Sequence, residues 1–172
     1  ILIIFIVSII SQLLKHQRKN KLMLYIQNNE HQQFEKAIKS LTTKVLLTPY
    51  DIDSLLLNNY LYNNDKKMIE KQYTQMIKNA VTTRQKEQIY LQAFEYYVYE
   101  NNKNQCILLL TQIKQLDNKD LLNHCELLYD IIILKSSNHK ENMIKNLESC
   151  HDSYQKGILA YLISLQYKNE NN

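Results

Sequence analysis

The stretch LLLNNYLYNNDKKMIEKQYTQMI, residues 55–77, decides the fold. Leu57 and Tyr60 precede the break Asn63-Asn64-Asp65, and Ile69, Tyr73, Met76 and Ile77 follow it. Steps of three and four place each set on one face of a helix. Asn tolerates the left-handed backbone that ends a helix, so the doublet takes the place usually held by Gly. The stretch therefore predicts two helices joined by a tight turn.

The same punctuation recurs along the chain. Turns are expected at Asn28-Asn29-Glu30, Asn101-Asn102-Lys103 and Ser136-Ser137-Asn138, and the four starts are 35, 38 and 35 residues apart. A second set alternates with the first, at Leu47-Thr48-Pro49, Ala80-Val81-Thr82-Thr83, Leu116-Asp117-Asn118 and His151-Asp152-Ser153. Between these breaks the spacing predicts helices near 31–46, 51–62, 66–79, 84–100, 104–116, 119–135, 140–151 and 154–168. Thr48 before Pro49, and Asp117 or Asn118 before the next run, are suitable helix starts. Phe34, Ala37, Ile38, Leu41 and Val45 form one apolar stripe, and Cys106, Leu110 and Ile113 another. A single hairpin cannot bury its stripe, whereas stacked neighbours can. A period near 35 thus predicts an all-α fold of stacked helix hairpins.

Composition agrees. One Gly and one Pro in 172 residues leave too few turn formers for a sandwich or barrel. The 20.6 kDa chain suits one domain plus an anchor. Net charge is +4 and Arg occurs only at Arg18 and Arg84, so donors for bidentate nucleic-acid contacts are scarce and no nucleic-acid partner is expected. The abundance of Asn, Lys, Ile and Tyr has the look of an AT-rich codon bias and carries no functional weight.

The chain opens with ILIIFIVSIISQLLKHQRKNK, residues 1–21. Eleven of the first fourteen residues are apolar, and they cover every face of a helix. Fourteen residues rise about 21 Å, short of the ~30 Å hydrocarbon core. The chain also starts without Met, so the native apolar segment is expected to be longer. A membrane anchor, a cleaved signal core and a buried helix compete here. No small-residue cleavage site follows, which favours the anchor. The expected division is an anchor with basic flank over 1–19, touching the membrane through residues 1–14 as a single pass, and a helical-repeat domain over 20–172. Lys15, Arg18, Lys19 and Lys21 would hold the domain in the cytoplasm, but further N-terminal charge would reverse that, so the side stays open.

YIQNNEHQQFEKAIKSL, residues 25–41, resembles the second half of a tetratricopeptide repeat, with Phe34 and Ala37 at its aromatic and small positions. Leu57, Tyr60, Ile69, Tyr73 and Met76 repeat the offsets of that family. Ala93, Tyr96, Cys106, Leu110 and Ile113 do so with one residue inserted, while Glu126 stands where a small residue is expected. The resemblance covers about residues 20–168 and implies a superhelix that captures a protein or peptide. The order of an apolar segment, a basic patch, a short helix pair and then a Tyr-rich helical region also resembles, more narrowly, the C-terminal region of the EssB/YukC family of type VII secretion. It implies a kinase-like domain before the apolar segment and the remainder of the chain outside the cell.

The run IYLQAFEYYVYENN, residues 89–102, supplies the candidate binding surface. Tyr90, Phe94 and Tyr97 share one side of a helix, and apolar rings with polar tips suit peptide capture. By the tetratricopeptide resemblance they would line the groove with Asn58, Tyr62, Asn123 and Asp130. Alternatively, the stripe packs against a neighbouring hairpin.

Two His/Cys pairs, His124-Cys125 and Cys150-His151, fall at equal height if the hairpin turns at Ser137-Asn138. Cys125 and Cys150 are then either a buried pair of small apolar groups or a disulfide. Neighbouring His124 and Cys125 diverge by about 100° on a helix, which disfavours one shared zinc ion. No nucleotide-, metal- or dinucleotide-binding motif appears. The expectation is a non-catalytic scaffold with no metal and no cofactor, a cell-envelope enzyme built on the His/Cys cluster being the rival. Oligomeric state is left open.

Overall fold

The computed structural model of the chain describes residues 2–171, with side chains from Phe5 onward. Ile1, at the head of the expected anchor, and Asn172, at the end of the expected repeat domain, lie outside the described residues. Among the described residues every regular element is helical: α1 Leu2–Gln27, α2 His31–Ile38, α3 Leu41–Leu46, α4 Pro49–Tyr62, α5 Lys66–Asn79, α6 Thr83–Tyr99, α7 Lys103–Ile113, α8 Lys119–Leu128, α9 Lys140–Ser149 and α10 Ser153–Glu170. A 3₁₀ turn over Lys114–Leu116 follows α7, and a π turn over Tyr129–Ile133 follows α8. The chain forms two compact units, Ile1–Val81 and Thr82–Asn172. α1 runs unbroken past residue 20 and buries Leu22 and Ile26 in the first unit.

Three of the four expected turns are the same corner. Asn29, Asn64 and Asn101 take left-handed backbone, with φ of 58°, 52° and 54°. At each, two amide N–H groups turn back onto the ending helix: Asp65 donates to the Tyr60 carbonyl at 3.0 Å and Asn64 to Leu61 at 3.1 Å. The same pairs form from Glu30 and Asn29, and from Asn102 and Asn101. This double bond satisfies carbonyls that a helix end otherwise leaves bare. At the second and third corners the next residue opens the following helix, Asp65 accepting from the Met68 amide and Asn102 from Gln105. Thr48 and Thr82 close capping boxes with Asp51 and Gln85, and Asn118, rather than Asp117, caps α8.

Two expectations give way to tertiary contacts. The helix expected over 31–46 breaks at Lys39-Ser40, where the Ser40 hydroxyl accepts from the Thr43 amide and starts α3. The helix expected over 119–135 ends in the wider π turn. There the Leu134 amide donates to Tyr129 and Ser136 to Asp130, and Lys135, not the Ser-Ser-Asn run, adopts φ 57°. The Asn169 side chain donates to the Ile131 and Ser136 carbonyls and holds that turn from α10.

In the first unit, α1–α4 close over Leu22, Ile26, Phe34, Ile38, Leu47 and Leu55. The α4–α5 hairpin buries Leu57, Ile69, Tyr73 and Met76, and buried Gln72 donates to the Asp53 carboxylate at 3.1 Å. In the second unit, α6 packs with α7 and α8. Ile131, Met143, Leu162 and Ile163 form a cluster where α9, α10 and the π turn meet. Fully buried Gln166 accepts from the His139 amide there at 2.9 Å.

Candidate functional site

The apolar leader and the basic residues behind it belong to one helix with two different halves. From Phe5 to Leu14 the large apolar side chains are 44–64% exposed and cover the helix all round. From Lys15 onward one side of α1 is locked into the first unit. The Arg18 guanidinium donates to Thr43 Oγ1 at 2.7 Å, to Ser40 Oγ at 2.8 Å and to the Ala37 carbonyl at 2.8 Å. Lys15 and Lys19 both grip Asp51, at 2.8 and 2.5 Å. The basic flank, read in sequence as a topology signal, therefore also clamps α1 to the start of α4. Among the described residues no helix is long and apolar enough to cross a membrane.

Burial raises the affinity of Asp51 for a proton, but the Lys15 and Lys19 ammonium groups and Thr48 outweigh it. The carboxyl is held well below the ordinary carboxylate range. The sign follows: a depressed native pKa adds stability above the unfolded value of about 3.9, and that stability is lost as pH falls below it. Asp51→Asn should therefore melt earlier than the parent chain at neutral pH, with the gap closing as the solution is taken below about pH 4. An unchanged gap at acid pH would mean that the ion pairs add nothing.

The aromatic stripe of α6 turns inward. Tyr90, Phe94 and Tyr97 are 9%, 0% and 6% exposed, and burial pushes the Tyr90 phenol up. All three rings are buried in the core of the second unit, the packed alternative of the two expected for this stripe. Tyr97 stands edge-on to Tyr96, with ring centroids 5.2 Å apart. Of the remaining candidates, Asn58 and Tyr62 belong to the first unit and Asn123 and Asp130 to the second. Half-buried Asn58 reaches Met23 Sδ at 3.8 Å, and exposed Tyr62 donates its hydroxyl to the Gln27 carbonyl. Asn123 is exposed, and Asp130 meets His139 at 3.2 Å.

The four His/Cys residues differ in exposure. Cys125 is buried and Cys150 half-buried, and all three cysteines are free thiols. The π turn follows the end of α8, and α9 packs on α10. Burial pushes the Cys125 thiol up to about 12, helped by Glu95, Cys106 and Glu126, and the Cys106 thiol up to about 11. Cys150 caps α9 with its S–H toward Asp152 O and Gln155 Oε1. It shares a cleft of about 520 Å³ with His124, while His151 is exposed. Among the described residues no three His, Cys, Asp or Glu side chains gather as a metal site. A maleimide should label Cys150 alone in the native chain and all three thiols in denaturant. Native labelling of Cys125 would contradict its burial.

The exposed rings that sequence reasoning missed lie elsewhere on the second unit. Tyr99 and Tyr161, 86% and 60% exposed, flank a cleft of about 310 Å³ whose walls include Val98, Leu128, Ile132 and Glu95. Such a cleft suits an apolar side chain of a bound peptide, with tyrosine hydroxyls at its rim. The signal was available: Tyr154, Ile158 and Tyr161 step along α10 by four and three and are all exposed. The class these features define is an all-helical chain of packed neighbouring helices. No family model, curated protein or solved structure matches it.

Proposed function

We propose that this chain is a membrane-anchored helical-repeat module that docks a protein or peptide partner and has no catalysis of its own. The observation that carries the reading is the leader: apolar side chains exposed all round on a helix whose other half is core. A helix apolar on every side belongs in hydrocarbon or in a large core. Recurring Asn corners at 29, 64 and 101 support a tetratricopeptide-like hairpin series. The order of leader and hairpins is all that speaks for the type VII secretion variant. Docking is assigned to the Tyr99–Tyr161 cleft in place of the α6 stripe.

Two measurements test this. The full chain should float with lipid vesicles in a density gradient and resist a high-salt wash; a chain that stays at the bottom removes the anchor. A photocrosslinking amino acid at position 161 should yield one discrete adduct in cells, abolished by Tyr99→Ala. Crosslinking that is diffuse or indifferent to Tyr99 removes the cleft.

A further inference from the structure

Leu41 and Val45 should, by spacing, extend the buried stripe of Phe34, Ala37 and Ile38. Instead they are 77% and 75% exposed. The break at Ser40 rotates α3 so that Thr43, fully buried, meets Arg18. Residues two positions to either side of Thr43 lie about 200° around the helix, so Leu41 and Val45 occupy the opposite face. The polar residue is inside and the apolar pair outside, an inversion that the hydrophobic effect alone disfavours in water.

The place of this inverted turn is informative. Arg18, to which α3 is tied, lies about 6 Å along the α1 axis beyond Leu14, the last residue of the leader. Lys44 on α3 and Lys36 on the preceding α2 are exposed and paired with no carboxylate among the described residues. The first unit has eleven Lys and Arg against six Asp and Glu, whereas residues 82–172 have ten against eleven. A second copy offering the same basic face would be repelled. An anionic surface with an apolar interior matches both the charge and the exposed Leu and Val.

We propose that α3 is an interfacial foot: Leu41 and Val45 enter the headgroup region of an anionic bilayer beside the leader, with Lys36 and Lys44 on the lipid phosphates. The assignment rests on the anchor reading above. It makes Arg18 the positioning residue that sets α3 at this height on α1. The first unit is then held against the membrane at two points rather than swinging on one.

The chain contains no Trp, so single replacements report position directly. Ile10→Trp, Val45→Trp and Tyr62→Trp are made in the full chain. They are mixed with brominated-lipid vesicles of phosphatidylcholine with phosphatidylglycerol, and of phosphatidylcholine alone. Tyr62 bonds to Gln27, about 20 Å beyond Leu14 along α1, and serves as the distant control. Emission from positions 10 and 45 should be quenched, that from 62 not, and quenching at 45 should weaken severalfold without the anionic lipid. Quenching at 10 with position 45 behaving like 62 overturns the foot and leaves the anchor standing. No quenching at 10 removes the anchor reading and the foot with it. Quenching at 45 that is indifferent to lipid charge overturns the anionic assignment.

Discussion

Phe94→Ala is expected to cost the chain about 3–5 kcal/mol, the usual penalty for truncating a fully buried aromatic ring. Phe94 is 0% exposed on α6, and its neighbours in the stripe, Tyr90 and Tyr97, are buried with it. For a chain of this size each kcal/mol lowers the melting temperature by about 2–4 °C, so a fall on the order of 10 °C is expected in a circular dichroism melt. A ring lining an open groove would behave differently. Its removal would shift stability by no more than about 0.5 kcal/mol while abolishing partner binding. The melt alone separates the two roles, because no partner needs to be known. An unchanged melting temperature would return the α6 stripe to the surface.

The second large effect concerns the leader. The double variant Ile6→Asp/Ile10→Asp should release the chain from vesicles. A carboxylate near the centre of a membrane-embedded helix costs roughly 2.5–3.5 kcal/mol. Two therefore remove about 5–7 kcal/mol of partition free energy, on the order of four to five decades in affinity. Both sites are half exposed, and the contacts that hold α1 to its unit begin at Lys15 and continue through Arg18, Leu22 and Ile26. Helix content and melting should consequently stay close to those of the parent chain. Retained flotation would show that this segment does not hold the chain in lipid. Loss of fold together with flotation would place the leader in a protein core.

The two variants separate what was legible in the chain from what was not. Most of the helix boundaries could be read from spacing, because Asn corners and Thr or Asp caps act within four or five residues of sequence. Asn64 turns as its doublet predicts, and Thr48 caps α4 through Asp51. The break at Ser40 was invisible, since the group that captures Ala37, Ser40 and Thr43 is Arg18, 19 to 25 residues away. The fate of the His/Cys quartet was equally hidden. Its assumed register needed an ordinary α-helical end after Cys125, and a π turn braced by Asn169 supplies a different one.

Burial direction was the hardest matter. Tyr90, Phe94 and Tyr97 on one side of α6, and Leu91 and Val98 on another, give that helix two apolar faces, and periodicity does not rank two such faces. Leu41 and Val45 show the opposite error, for a regular stripe continued across a break that turned them outward.

By itself, the sequence determined that this protein is helical, where most of its helices begin and end, and that its first fourteen residues are too apolar for an ordinary water-facing surface. These are local matters of backbone preference, capping and composition. Tertiary structure alone decided which faces are covered, that the basic flank clamps α1 to α4, and that Cys125 is buried while Cys150 is partly open. Each of these depends on which distant segment arrives at a given surface, and side-chain spacing along one helix carries no record of that.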